Sequence, residues 1–190
     1  ILVNMFALWM FGSSVESILG SKKFLFFYLT CGLGAAVSQL AFLYYNYYVD
    51  LEFFVNNGYE SAEIIKILNN KSKPEINSLV NNIGIEKVAS IFSNFNSTMV
   101  GASGAIMGIL VAFAMFFPES KLMLLFLPIP IKAKYFIPAI IIMDLFSAIT
   151  GQAIFSPSNT AYVAHLGGAL TGFIIMYYWK KDRFNKNRWY

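Results

Sequence analysis

The stretch VGASGAIMGILVAFAMFFP, Val100 to Pro118, decides how this chain folds. It carries no charged side chain, and Pro118 ends it. Apolar residues on every face mark a helix that is buried all round or embedded in lipid. Yet Ser103 to Phe117 is only about fifteen residues, whereas about 20 are needed to cross a hydrocarbon core of about 30 Å. A span this short begins below the membrane surface, and irregular backbone at that depth survives only inside protein or beside a water-filled cavity. Ser103 is therefore predicted at a helix N-terminus, in a wet pocket, among Gly101, Gly104 and Gly108.

The rest of the chain supports a membrane setting. Of 190 residues, 57% are hydrophobic and 13% charged, against about 25% charged in soluble domains. Apolar runs at 1–19, 24–45, 100–117, 135–150 and 160–179 predict five spans. The alternation of a transmembrane β-barrel is missing, so the expected class is an all-α polytopic helix bundle. Nineteen Phe, eleven Tyr and three Trp suit lipid-facing and interfacial positions. Ile1 already lies inside an apolar run, so the chain reads as N-terminally truncated, with at least one further span expected before it. The single Cys31 reads as core packing, and one Cys with one His gives no zinc ligand set. Neither metal nor cofactor is implied.

Charge sets the expected topology. Lys22 and Lys23 separate the first two spans. Lys121, Lys132 and Lys134 separate the third and fourth, and Lys180, Lys181, Arg183, Lys186 and Arg188 follow the last. The positive-inside rule places 20–23, 118–134 and the C-terminus in the cytoplasm. Segment 46–99 and the loop 151–159 fall opposite. The basic tail suits contact with anionic lipid; nothing else points to nucleic acid. Segment 46–99 is rich in Asn, Lys, Glu and Ser and too polar to span. It reads as an extramembrane insertion of two short helices (60–68 and 75–95) joined at Asn69–Lys73. Pro128 and Pro130 break the cytoplasmic connection.

His165 is the only histidine, in AYVAHLGGALTG near the outer end of the last span. An ionisable residue inside a span points to function. Gly168, Ala169 and Gly172 follow it at i+3, i+4 and i+7, and Gly104, Gly108 and Ala112 form a matching stripe behind Ser103. Two such stripes let helix backbones approach closely, bringing Ser103 and His165 within hydrogen-bond reach. A serine beside a neutral imidazole is the minimum for base-assisted nucleophilic attack. Ser103 at a helix N-terminus adds its own N–H and the positive dipole end for an oxyanion, and Asn4, at a compatible depth, offers a second donor. Each signal alone has a structural explanation: small-residue stripes pack any membrane bundle, Ser hydroxyls bond their own backbone, and Asn glues helices. Asp144, in IIMDLFSA, reads as a structural hydrogen-bonding group or a proton site. The soluble serine-hydrolase elbow G-x-S-x-G fails here, since Ala105 replaces its second glycine and no strand precedes it.

These residues resemble the rhomboid family of intramembrane serine proteases over nearly the whole chain outside 46–99. The motif G-x-S-G is Gly101-Ala102-Ser103-Gly104. The last-helix pattern is His165, Gly168 and Gly172, within an AHLGG typical of bacterial-type members. The first visible helix resembles the family's second, including Glu16 and the Leu19-Gly20-Ser21 turn. The resemblance implies a six-helix core, of which five spans are visible, with Ser103 as nucleophile, His165 as general base and no acidic third member. Asn4 matches the asparagine of the family's His-x-x-x-Asn motif, whose histidine would stand immediately before Ile1. Met107 stands where some members carry an aromatic that packs on the histidine. Implied partners are single-span membrane proteins cut near the outer end of their transmembrane segment. The alternatives are a catalytically inactive rhomboid-like binder of transmembrane helices, and a transporter or proton-linked channel using His165 and Asp144.

Overall fold

The computed structural model describes residues 2–98, 101–124, 127–150 and 161–186. The first helix, α1 (Leu2–Leu19), contains one turn of π-helix at Leu8–Gly12. It stops at Gly20, whose φ of +77° only glycine adopts freely, with the Gly20 N–H donating to the Glu16 carbonyl at 2.7 Å. Helix α2 (Ser21–Asn56) then runs for 36 residues, about 54 Å at 1.5 Å per residue. The helix therefore runs past the expected span 24–45, and the boundary at residue 46 falls inside it. No Gly or Pro interrupts residues 46–56, so nothing stops the helix before Gly58, at φ +90°.

Two compact units emerge, one formed by 1–39 with 100–190 and the other by 40–99. In the second unit, α3 (Ser61–Asn70), α4 (Lys73–Ile83) and α5 (Ile85–Phe95) accompany the end of α2. Phe54, Ile64, Ile67, Leu68, Leu79, Val88 and Ile91 form its core. Buried Asp50 accepts hydrogen bonds from Ser90 Oγ at 2.7 Å and Asn94 Nδ2 at 2.8 Å. Three helices stand where two were expected. The extra break is at Gly84, whose φ of +102° ends α4 and opens α5. The other joint lies at Lys71–Ser72, with Lys71 left-handed at φ +52°.

The first unit is built around α6 (Ser103–Phe116), whose residues from Gly104 to Phe113 are all buried. Phe11 of α1 meets Phe113 edge-on at 5.0 Å between ring centres. Strands β1 (Lys121–Leu124) and β2 (Leu127–Lys132) follow, paired antiparallel with Lys121 opposite Lys132. The prolines were expected only to break this connection. With two strands, each is an edge, and edge positions are where proline is tolerated. Glu119 beside the hairpin pairs with Lys134 and, at 2.6 Å, with Lys132. These ammonium groups, Lys132 first, pull its carboxyl down to about 2. Helix α7 (Ala133–Thr150) and α8 (Tyr162–Lys186) complete the unit.

The class is the expected one, an all-α polytopic bundle. Among the described residues three helices, α1, α2 and α7, are long and apolar enough to cross a membrane. Five were expected. At 14 residues α6 is shorter than a span, in keeping with its reading from sequence. Helix α8 is 25 residues long, but glycines, tyrosines, His165 and terminal charges dilute its apolar run.

Candidate active site

The α6–α8 contact is made of glycine. A Cβ on Gly168 would collide with the Gly104 carbonyl oxygen, and one on Gly172 would stand 2.7 Å from the Gly108 Cα. A Cβ on Gly104 would in turn meet the Ala164 carbonyl at 3.1 Å and Ala35 at 2.5 Å, and one on Gly108 would strike Cys31. Backbone thus lies on backbone, with α2 closing the third side. The two small-residue stripes read from sequence do face each other, and Met107 is buried beside them.

This approach sets the distance between the polar groups at the stripe ends. Ser103 opens α6, and its Oγ lies 3.0 Å from His165 Nε2. His165 is in the first turn of α8, its N–H bonded to the Ala161 carbonyl at 3.1 Å. The neighbouring Ala164 N–H, which an isolated helix end would leave unpaired, donates to buried Gln39 Oε1 at 3.1 Å. Gln39, on α2, thereby anchors the turn that carries the histidine. Sequence reasoning missed it, because one Gln in an apolar helix has many uses.

Among the described residues no side chain caps the α6 terminus. Ala102, at its N-cap, has no side chain able to cap, and the first intrahelical bond runs from the Ile106 N–H to the Ala102 carbonyl at 3.0 Å. The N–H groups of Ser103, Gly104 and Ala105 therefore precede the first intrahelical bond and, among the described residues, have no side-chain cap, with the positive dipole end behind them. Asn4 lies close by: its Nδ2 is 3.5 Å from where a Cβ of Gly101 would stand. Gly101 sits at φ +128°, a conformation that strains any residue with a Cβ. The chain thus needs glycine here to turn into α6.

The other nitrogen of the imidazole has a partner too. His165 Nδ1 lies 2.9 Å from Asp144 Oδ2 on α7. The Asp144 side chain is 8% exposed and that of His165 12%. This overturns the expectation that no acidic group stands behind the histidine. The available signal was an intramembrane Asp 21 positions before the only histidine, but helix faces alone could not pair α7 with α8. Along the same helices, an apolar cavity of about 560 Å³ opens between α6, α7 and α8, lined by Leu145 and Leu166, the residues following Asp144 and His165. The loop 151–159, expected to cap the site, lies outside the described residues. Among the described residues no cluster of three His, Cys, Asp or Glu side chains could hold a metal ion.

The Rhomboid domain matches residues 1–56 and 78–181. Human presenilin-associated rhomboid-like protein, mitochondrial, is 31% identical over 170 residues, and the mouse protein of the same name 29%. The zebrafish form A is 28% identical over 171 residues. The alignments cover 89–90% of this chain but only 31% of each relative. No solved structure gives a significant match.

Proposed function

This chain belongs to the rhomboid family, and we propose that it is an intramembrane serine endopeptidase acting on single-span membrane proteins. One observation carries the reading: a serine hydroxyl 3.0 Å from an imidazole nitrogen, at a helix N-terminus with no side-chain cap. That distance is within the range for proton transfer from nucleophile to base.

Ser103 Oγ attacks the scissile carbonyl carbon, and its proton passes to His165 Nε2. The carbonyl π electrons move onto oxygen. That oxyanion is held by the Ser103 N–H and the Asn4 amide, aided by the α6 dipole. Collapse of the tetrahedral species expels the amine, which takes the proton from His165 and leaves an acyl-Ser103. Water gives a proton to His165 Nε2 as it attacks the acyl carbon; the second tetrahedral species then expels Ser103 Oγ, which takes that proton back, and the new carboxyl product departs. Gly101, Gly104, Gly168 and Gly172 hold the geometry, with Met107 packed beneath. The substrate segment must be unwound locally, since an intact helix shields its peptide bonds, and the apolar cavity beside Leu145 and Leu166 suits its side chains. Surrounding lipid completes the site. Neither cofactor nor metal enters these steps.

The basic segments 20–23, 118–134 and the C-terminus belong on the cytoplasmic side, with the catalytic pair opening on the other. The relatives are named mitochondrial; for a chain in that organelle the inner side would be the matrix. The test is labelling of the membrane-embedded protein with a fluorophosphonate probe. Ser103→Ala and His165→Ala should each abolish labelling. A folded wild-type protein that does not label would overturn the reading and leave a rhomboid-like binder of transmembrane helices.

A further inference from the structure

The contact between His165 and Asp144 has a chemical consequence that a Ser–His pair alone does not require. An imidazole must present an unprotonated Nε2 to accept the Ser103 proton, and a neutral imidazole has two tautomers. Only the one with its proton on Nδ1 can act. In an isolated pair nothing selects it.

We propose that Asp144 is a positioning residue that makes this catalytic centre a triad. The inference rests on the protease reading above. An ionised carboxylate only accepts hydrogen bonds, so Asp144 Oδ2 at 2.9 Å keeps the proton on Nδ1. Nε2 is left with its lone pair toward Ser103 Oγ at 3.0 Å. The two contacts lie on opposite edges of one ring and fix its rotation as well. Both side chains are largely shielded from water, where a carboxylate partner is worth more than in solvent. When Oγ attacks, its proton moves to Nε2 and an imidazolium forms. Asp144 stabilises that cation and keeps its own charge; no proton reaches it. The next step returns the Nε2 proton to the leaving amine and restores the Nδ1–H tautomer. Elsewhere such an arrangement loses about 10⁴-fold in kcat when the carboxylate becomes an amide, because the amide favours the wrong tautomer.

Two measurements test this on the protein in lipid nanodiscs, with an affinity tag free of histidine. The first is histidine-selective ¹⁵N NMR, in which the His165 signals are those lost in His165→Gln. The Nδ1–H tautomer should dominate in the wild type, and Asp144→Asn should shift the population toward Nε2–H. The second is the rate of fluorophosphonate labelling, in which the Ser103 Oγ–P bond forms, P–F breaks, fluoride leaves and the proton goes to His165. Asp144→Asn should lower the maximal rate by roughly 10²- to 10⁴-fold, with half-saturation within about threefold of wild type. Asp144→Glu should restore part of the rate, which a merely structural carboxylate would not require. Far-UV circular dichroism and the melting midpoint identify a variant that fails to fold; Asp144→Glu and the wild-type tautomer then decide. An Nε2–H tautomer in the wild type would overturn the proposal. So would Ser103-dependent labelling that Asp144→Asn leaves unchanged. Absence of labelling in a wild type with the Nδ1–H tautomer would defeat the protease reading while leaving the His165 placement intact.

Discussion

Substituting Gly172 by Ala adds one methyl group two helical turns away from His165. The added Cβ would stand 2.7 Å from the Gly108 Cα and 2.9 Å from the Gly108 carbonyl oxygen. Carbon atoms prefer about 3.5–4.0 Å. Both obstacles are backbone, so no rotamer change relieves them and the helices must part by about 1 Å. Transmitted rigidly along α6 and α8, this stretches the contact between Ser103 Oγ and His165 Nε2 from 3.0 Å to about 4 Å, beyond the reach of proton transfer. A misplacement of about 1 Å far from the chemistry can cost roughly 10²-fold in rate, and overpacking a close-fitted contact costs about 1–3 kcal/mol. The assay pairs the initial fluorophosphonate labelling rate with the thermal unfolding midpoint in one lipid preparation. Gly32→Ala is the control, because its Cβ would meet only Ala105 Cβ at an ordinary 3.5 Å; it should keep the wild-type rate and shift stability by no more than about 1 kcal/mol. Wild-type stability and labelling in Gly172→Ala would refute the close approach. Lost stability with an unchanged rate would show that the seam packs the helices without aligning the pair.

Two further outcomes follow from contacts outside the pair. Gln39→Ala removes the acceptor for the Ala164 N–H and should destabilise the protein by about 1–3 kcal/mol, with faster hydrogen exchange in the first turn of α8. Protection equal to wild type would show that another group takes that bond. At Glu119 the carboxyl is held down to about 2 by Lys132 and Lys134, so its contribution to the hairpin is complete above the ordinary carboxylate range. It is lost as pH falls from that range through about 2. Glu119→Gln should therefore increase proteolytic nicking of 118–134 at neutral pH, while wild type and variant should become alike in hydrogen exchange at about pH 2. A difference that persists at low pH would mean that Glu119 acts through packing rather than charge.

The parts of this fold legible in the sequence were those set by composition and by short-range spacing. Thirteen per cent charge and runs such as 100–117 gave the class. An apolar run of about fifteen residues ending at Pro118 placed the start of α6 at or just before Ser103, where the helix does begin, because length against bilayer thickness is a local argument. Glycines at i+3 and i+7 after His165 foretold the contact with Gly104 and Gly108, since close packing leaves a small-residue signature on both partners. Helix ends were harder. The continuation of α2 to Asn56 was missed because polarity was read as a break, yet polar residues continue a helix that has left the hydrocarbon. Gly84 was missed because one glycine within a helical pattern can be tolerated. Asp144 and Gln39 were hidden for a different reason: their partners lie 21 and 125 positions away, and no periodicity within one helix tells which neighbour a polar side chain will meet.

The turn of π-helix at Leu8–Gly12 bears on how this site tolerates insertion and deletion. A π turn holds one residue more than the α-helix around it needs. Everything before it is consequently rotated about 100° relative to everything after it. Val15, after the turn, is locked into the core at 0% exposure, whereas Asn4, before it, lies beside Gly101. Deleting a single residue from 8–12 would let the segment relax to a regular α-helix with its hydrogen bonds intact and its anchor at Val15 unmoved. The Asn4 amide would swing by more than a quarter of a turn, away from the α6 terminus. Such a one-codon loss would leave a folded protein whose Asn4 amide no longer lies beside Gly101, so the count of residues in this helix, and not only their identity, sets where the proposed second oxyanion donor stands.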